Sequence, residues 1–115
     1  MILIVGGAGY IGSHMNKMLS RSGRDTLVLD NLSCGHRDAV RWGTFIEGDL
    51  ADTALLRRIF TEYAVEAVFH FSAFINVGES VTAPAKYYQN NVVNTLHLLD
   101  AIADQIGRAS CRERV

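Results

Sequence analysis

The 115-residue chain has little of what marks several classes of protein. It contains one proline and two cysteines, and its charges nearly cancel to a formal net charge of −1. No apolar run approaches the length of a membrane-spanning helix, and a basic segment of the signal-peptide type is missing at the start. These features argue against a disulfide scaffold, a membrane protein and a protein that binds nucleic acid through a basic patch, and they predict a cytoplasmic protein.

What the chain does contain is typical of one globular domain. Apolar residues make up 49% of it and charged residues only 20%, a balance that favours a packed core over disorder. Cys34 and Cys111 stand far apart without a metal-ligand spacing, so we expect idle thiols and no metal site.

Four short segments that read as strands alternate with helical patterns along the chain. They cover residues 2–5, 26–29, 44–47 and 67–71, and the first two are predicted to be buried in a parallel sheet. Alternating strands and helices predict an α/β protein with the Rossmann-type fold. We expect a truncated doubly wound parallel sheet with four strands in the spatial order 3-2-1-4 and helices on both faces.

Apolar periodicity also predicts which helix faces are buried. The apolar stripe of the first helix consists of Ile11, Met15, Met18 and Leu19. Asn16 falls on the opposite face. Asp52 is a plausible N-cap for a second helix with its own stripe: Leu55, Leu56, Ile59, Phe60 and Tyr63. Pro84 opens a long helix whose predicted inward residues are Tyr88, Val92, Leu96, Leu99 and Ala103.

Three glycines at a spacing of three follow the first strand and lead into the first helix. Gly6 suits a tight turn, Gly9 has no side chain to block a phosphate, and Gly12 lets helix and strand pack closely. The free N–H groups and positive dipole end of that helix favour a pyrophosphate. Asp30 ends the second strand, 18 residues after Gly12, where a carboxylate accepts hydrogen bonds from an adenosine ribose.

The charges near Asp30 predict the preferred dinucleotide. A carboxylate there would face the 2′-phosphate of NADP, and no arginine follows directly, so the sequence favours NAD. Arg37 is a possible phosphate ligand, but we interpret it as a solvated loop charge. Without the strand–turn–helix context, the glycines would only turn the chain and Asp30 would only be a turn residue.

Five segments together resemble the amino-terminal part of the UDP-glucose 4-epimerases, within the extended short-chain dehydrogenase/reductase group: "GGAGYIGSH", "LDNLSCGHRDAV", "EGDLAD", "VFHFSAFINVGES" and "PAKYYQNNVVNTLHLLDA". The resemblance covers residues 1 to about 105. It implies an NAD-dependent isomerase of galactose metabolism that interconverts UDP-glucose and UDP-galactose by transient oxidation at C4, and a homodimeric full-length protein. A related nucleotide-sugar epimerase or dehydratase, or a non-catalytic dinucleotide sensor, would keep the same turn.

The resemblance also implies a role for each position that matches. Pyrophosphate would be lined by Gly6, Gly9, Tyr10, Ile11 and Gly12. The adenosine ribose would be held by Asp30 and Asn31, and the adenine flanked by Asp49 and Leu50. The rest of NAD would contact Phe71, Ser72, Ala73 and Asn90. Taken alone, each of three residues is better explained by structure: Phe71 as core, Asp49 as an N-cap and Asn90 as a helix-packing residue.

The catalytic base of this family is a tyrosine with a lysine four residues later. None of the tyrosines here has a lysine at that spacing, so the chain itself is expected to have no catalytic residue and no activity. The last ten residues, "IGRASCRERV", look like one translated frame of a sequencing-library adapter. We therefore expect a partial NAD-binding domain over residues 1–105 and a non-native tail over 106–115.

Overall fold

The computed structural model of the protein describes residues 1–33, 35–71, 82 and 84–113. The strands are β1 (Ile2–Val5), β2 (Thr26–Asp30), β3 (Thr44–Glu47) and β4 (Ala67–His70). The helices are α1 (Tyr10–Arg21), α2 (Thr53–Glu62), α3 (Pro84–Tyr88) and α4 (Asn94–Glu113). A 3₁₀ turn covers Arg37–Ala39, and a π-helical segment, Gln89–Val93, separates α3 from α4.

The four strands form one parallel sheet in the order β3-β2-β1-β4. Ile2 lies opposite Thr26 on β2 and Ala67 on β4, and Leu27 lies opposite Thr44 on β3. The predicted parallel pairing and strand order are therefore confirmed. This order is the first half of a doubly wound α/β sheet.

The chain divides into two compact units, and the sheet belongs to the first together with α1 and the 3₁₀ turn. Leu3, Ile4, Leu27 and Val28 are fully buried. Strands covered on both faces read as continuous apolar runs rather than alternating ones, which is why residues 2–5 and 26–29 could be located from the sequence.

The apolar pattern of α1 predicts its buried face only in part. Leu19 packs against the apolar cluster of the sheet, as predicted, but Ile11 and Met18 are exposed and Asn16 is fully buried. The Asn16 Nδ2 donates to the Trp42 carbonyl at 3.0 Å, and its Oδ1 accepts from the Thr26 hydroxyl at 2.6 Å. The prediction is wrong for Asn16 because both polar atoms of its amide have a hydrogen-bond partner, which makes its burial tolerable.

The second unit contains α2, α3, the π-helical segment and α4. α2 follows its predicted stripe, with Leu56, Ile59 and Phe60 buried. α4 packs against α2, but the prediction for its inward face is wrong: Asn94, Leu98 and Ala101 are buried, while Val92, Leu96 and Leu99 are exposed. The π-helical segment rotates the residues after it relative to the uninterrupted α-helix that the prediction assumed.

Candidate functional site

A tight glycine turn joins β1 to α1. Gly6 has a φ of +81°, a left-handed conformation that glycine adopts without strain. Its N–H donates to the Leu29 carbonyl at 2.8 Å, and the Gly9 N–H donates to the Gly6 carbonyl at 3.3 Å. The turn is thereby attached to the carboxyl end of β2, at the edge where α/β sheets bind ligands.

Gly12 and Gly9 differ in the space that the surrounding atoms leave for a side chain. A Cβ on Gly12 would lie 2.9 Å from the Gly7 Cα and would collide with the Gly6 carbonyl oxygen. A Cβ on Gly9 would meet only that oxygen, at an ordinary 3.5 Å, and Gly9 has extended backbone angles open to any residue. The fold itself therefore does not require glycine at position 9, and its effect is to leave space before the helix.

The N-terminus of α1 has no cap from a side chain of the described residues, and its first turn contains no acidic residue. The N–H groups of a helix's first turn have no partners within the helix, and the dipole makes this end positive. A glycine N-cap, first-turn N–H groups without partners inside the helix and the positive end of the dipole together favour an anion such as a phosphate.

Asp30 stands beside the turn with its carboxylate partly buried. Its Oδ2 accepts from the Ala8 N–H at 2.9 Å, and its Oδ1 accepts from the Leu32 N–H at 2.8 Å. Asp30 is therefore a turn residue, as the simpler interpretation held. Two oxygens offer about four acceptor positions, so the carboxylate keeps capacity for hydroxyl donors, and its ribose role stays a prediction.

Asn31 and Asp49 connect the ends of β2 and β3. The Asn31 Nδ2 donates to the Asp49 Oδ2 at 3.0 Å, and the Asn31 Oδ1 accepts from the Ser33 N–H at 3.0 Å. The N-cap of α2 is Asp52, whose carboxylate accepts from the Leu55 N–H at 3.1 Å. The alternative of Asp49 as that N-cap is thereby excluded, and the Asp52 prediction is confirmed.

Two side chains of the predicted pyrophosphate set point outward. Tyr10 is 81% exposed and Ile11 64% exposed, and the Tyr10 ring packs edge-on against His14 at 4.6 Å between centroids. Both follow Gly9 directly, so they flank the open N-terminus of α1. This exposure is what a residue bordering a ligand site requires.

The other predicted residues are less informative. Phe71 is half-buried, and its ring lies parallel to that of Phe69 with 6.3 Å between the ring centroids. It packs against the apolar cluster of the sheet, in agreement with its interpretation as a core residue. Leu50 is buried, and its carbonyl contacts the His97 Nδ1 at 3.2 Å. Ser72 and Ala73 lie outside the described residues. Asn90 belongs to the π-helical segment, and its side chain is not among those described.

Arg37 is engaged within the protein. Its Nη1 donates to the Val40 carbonyl at 3.1 Å, and its guanidinium lies 4.6 Å from the centre of the Phe45 ring. Arg37 is exposed, as expected for a solvated loop charge, and these two contacts hold its guanidinium in addition.

Among the described residues, a shifted pKa, a metal site or a membrane-spanning helix would each be a further indication of function. Burial lowers the pKa of His70 from its ordinary value of 6.5. Within residues 1–33, 35–71, 82 and 84–113, no group of three His, Cys, Asp or Glu side chains could hold a metal ion. No helix found in these residues is both long and apolar enough to cross a membrane.

Sequence reasoning missed the part played by Gly35 and His36. The His36 N–H donates to the Ala8 carbonyl at 3.2 Å, and a Cβ on Gly35 would lie 2.5 Å from the Ala8 carbonyl carbon. The only signal in the sequence was a glycine, Gly35, within a polar loop. That signal did not indicate that Gly35 contacts Ala8.

Comparison with known proteins identifies the family. The model of the NAD dependent epimerase/dehydratase family matches residues 2–111. The chain belongs to the NAD dependent epimerase/dehydratase family. The match begins in β1 and continues through the glycine turn, Asp30 and α4, so the candidate site lies within the part shared with the family.

Individual relatives agree with this assignment. The UDP-glucose 4-epimerase of Rhizobium leguminosarum bv. trifolii is 50% identical over 100 residues, which are 87% of this chain and 31% of that protein. The structure of Brucella ovis UDP-glucose 4-epimerase in complex with NAD is 57% identical, with a TM-score of 0.85 and the same coverage. The Thermotoga maritima enzyme with UDP-glucose is 37% identical, with a TM-score of 0.87, over 90% of this chain and 34% of that one.

The chain spans about a third of the length of these relatives. The Rossmann-type fold class predicted from the sequence is confirmed by their structural agreement with the four-stranded sheet.

Proposed function

We propose that this chain binds NAD at the glycine turn and forms the NAD-binding part of a UDP-glucose 4-epimerase. The observation that carries the proposal is the N-terminus of α1, which begins at a glycine, has no cap from a side chain of the described residues and has no acidic residue in its first turn. A dinucleotide pyrophosphate supplies the charge and the acceptors that this helix end lacks. Membership of an NAD dependent family supports the same ligand.

The proposed contacts follow the geometry of the turn. Gly6, Gly9 and Gly12 shape the space for the pyrophosphate, with Tyr10 and Ile11 at its border. Asp30 accepts from the adenosine ribose with Asn31 beside it, and Asp49 and Leu50 flank the adenine. Phe71, Ser72, Ala73 and Asn90 are assigned to the remaining length of the dinucleotide. When bound, NAD would take up a hydride from the sugar C4 and return it.

The activity proposed for the full-length protein is the interconversion of UDP-glucose and UDP-galactose. Similarity to UDP-glucose 4-epimerases at 50% and 57% identity supports it. No tyrosine of this sequence has a lysine four residues later, so we assign no catalytic residue to this chain and expect no turnover from it.

Dinucleotide selectivity is proposed to arise at Asp30. Both of its oxygens already hold backbone N–H groups, at 2.9 and 2.8 Å, so the carboxylate cannot swing away from an incoming 2′-phosphate without releasing the turn. Repulsion between the two anions then disfavours NADP. Arg37 is held by the Val40 carbonyl and the Phe45 ring, and we propose that it does not turn towards the 2′-phosphate to offset this repulsion.

Assembly, location and domain limits complete the proposal. Val92, Leu96 and Leu99 form an exposed apolar stripe on the π-helical segment and α4, and such a stripe supports a homodimer of the full-length protein.

We place that protein in the cytoplasm. We also propose that the NAD-binding part ends near residue 105 and that residues 106–115 carry no function.

Calorimetric titration with NAD, ADP-ribose and NADP tests the binding proposal. We expect NAD and ADP-ribose to bind with similar, weak affinity, because the assigned contacts are to the adenosine and pyrophosphate. NADP should bind at least about tenfold more weakly, since a like charge beside Asp30 costs roughly 1.4 kcal/mol or more. Absence of NAD binding, or equal affinity for NADP, would overturn the proposal.

A coupled assay of UDP-galactose conversion with added NAD tests the assignment of activity. This chain should show no turnover above the rate without protein. Measurable conversion would mean that a base other than the tyrosine–lysine pair is present among these residues.

A further inference from the structure

Ala8, at the centre of the glycine turn, has both of its backbone groups held by one segment of the chain. Its N–H donates to the Asp30 Oδ2 at 2.9 Å, and its carbonyl accepts from the His36 N–H at 3.2 Å. Asp30 is the last residue of β2, and His36 lies six residues later, on the connection that follows. The peptide planes on either side of Ala8 are therefore both fixed.

Close contact at Gly35 makes the second hydrogen bond possible. A Cβ on Gly35 would lie 2.5 Å from the Ala8 carbonyl carbon, 2.6 Å from its oxygen and 2.9 Å from its Cβ. Backbone atoms occupy two of these three positions, so the collision could not be relieved by a side-chain rotation. Any residue larger than glycine would push the segment away from Ala8 and lengthen the bond from His36.

The peptide fixed by His36 is the one that leads into the N-cap of α1. Its carbonyl belongs to Ala8 and its N–H to Gly9, which donates to the Gly6 carbonyl at 3.3 Å. Its rotation would change the direction of the Gly9 N–H and the start of the first helical turn. An anion site made from backbone N–H groups depends on those directions, since hydrogen bonds weaken steeply away from linearity.

We propose that Gly35 is a positioning residue for the anion site: its contact with Ala8 holds the Ala8–Gly9 peptide in the orientation that receives a diphosphate. The inference rests on the proposed function, because it assigns the turn to a dinucleotide. It goes beyond that function in placing a determinant of diphosphate affinity outside the glycine motif, on a residue that acts through the backbone of Ala8.

The test compares ADP with adenosine in the variant Gly35→Ala. NMR titration is suitable because it measures millimolar dissociation constants. We expect ADP affinity to fall about tenfold, the effect of one misdirected hydrogen bond to a charged group, and adenosine affinity to stay within twofold. Unchanged ADP affinity would overturn the proposal, as would an equal loss for both ligands, which indicates a general loss of structure.

Gly23→Ala is the matched control. Gly23 has a φ of +83° and nothing within 4 Å of an added Cβ, so this variant is destabilised by backbone strain alone, at the far end of α1. It should keep both affinities. If it loses ADP affinity as Gly35→Ala does, the effect follows from reduced stability and the proposal fails.

Hydrogen exchange separates this inference from the proposed function, because it needs no ligand. In the wild-type protein the amides of Ala8 and His36 should be protected, and Gly35→Ala should raise the His36 rate at least about tenfold while leaving the amides of β2 unchanged. An unprotected wild-type His36 amide would overturn the proposal even if NAD binds. Failure of the wild-type protein to bind ADP, with this protection intact, would refute the proposed function instead.

A second variant covers the case in which Gly35→Ala does not fold. One glycine inserted between Gly35 and His36 adds no Cβ, yet it displaces the His36 N–H from the Ala8 carbonyl. The same selective loss of ADP affinity is expected, and its absence in the folded insertion variant would refute the role of the contact.

Discussion

Two helices of this protein begin in opposite ways. α1 starts at Gly9 without a side-chain cap from the described residues, and no acidic side chain stands in its first turn. α2 starts at Asp52, whose carboxylate accepts from the Leu55 N–H at 3.1 Å. A cap of the second kind stabilises a helix by about 0.5–2 kcal/mol. The comparison indicates that α1 forgoes this stabilisation, which leaves its N–H groups available to an external anion.

The two starts also differ in what fixes them. The cap of α2 is local, because Asp52 and Leu55 are three residues apart. The turn before α1 is held from a distance, by the Asp30 carboxylate and the His36 N–H on the two backbone groups of Ala8. A helix end that is to bind a ligand needs external support, since its own N-cap must stay bare.

The largest effect is expected from giving α1 the start that α2 has. In Gly9→Asp, the new carboxylate should accept from the first-turn N–H groups and repel the pyrophosphate, so NAD affinity should fall about 100-fold or more. Thermal stability should stay the same or rise, because aspartate is a better N-cap than glycine. Calorimetry with NAD and thermal unfolding give the two readouts.

Gly23→Asp is the matched control for this substitution. It introduces the same side chain at the other end of α1, where an added Cβ meets nothing within 4 Å. NAD affinity should be retained, and stability should fall, because a negative charge near a helix C-terminus is unfavourable. If Gly9→Asp binds NAD as the wild type does, the two helix starts do not differ in function.

The next largest effect is expected at Asp30, whose carboxylate supports the turn rather than capping the helix. Asp30→Ala leaves the Ala8 and Leu32 N–H groups without their acceptor, so the free energy of unfolding should fall by roughly 1–3 kcal/mol. Urea denaturation measures this loss, and NAD affinity should decrease as well. Asp38→Ala, in the exposed 3₁₀ turn, is the control, and an equal loss there would argue against a special role for Asp30.

Converting α2 towards the start of α1 should have a smaller effect. Asp52→Ala is expected to lower the free energy of unfolding by about 1 kcal/mol, and Asp52→Gly by only a few tenths. Neither should change NAD affinity. Chemical denaturation with parallel NAD titration checks both, and a change in affinity would show that α2 takes part in the binding site.

The smallest effect concerns pH and lies at neither helix start. Burial lowers the pKa of His70 below 6.5, so the unfolded chain binds a proton more readily than the folded one. Stability should therefore fall as the pH drops below about 6.5, towards the lowered pKa. Denaturation midpoints between pH 7.5 and 5 should decline less in His70→Gln, which keeps a polar side chain without the titration. An identical decline in both proteins would assign the pH dependence to other groups.

The strands, the glycine turn and the N-cap of α2 were predictable because each depends on neighbours in sequence. An apolar run of four residues is enough to indicate a doubly covered strand, as for Ile2–Val5. Asp52 acts on an N–H three residues ahead, so a local pattern contains the whole interaction. Of the candidate site, the glycines and Asp30 were predicted from their spacing within the strand–turn–helix pattern, and their binding roles stay predictions.

Only the tertiary structure decided which faces of α1 and α4 are buried and what holds the turn. Asn16 is buried in place of Ile11 because Thr26 and Trp42, 10 and 26 residues away, satisfy its amide. The outward stripe of Val92, Leu96 and Leu99 begins inside a π-helical segment that the spacing of apolar residues did not indicate. Gly35 contacts Ala8 across 27 residues. Periodicity in a sequence reports the local backbone, whereas hydrogen bonds and close contacts between distant segments exist only once the chain has folded.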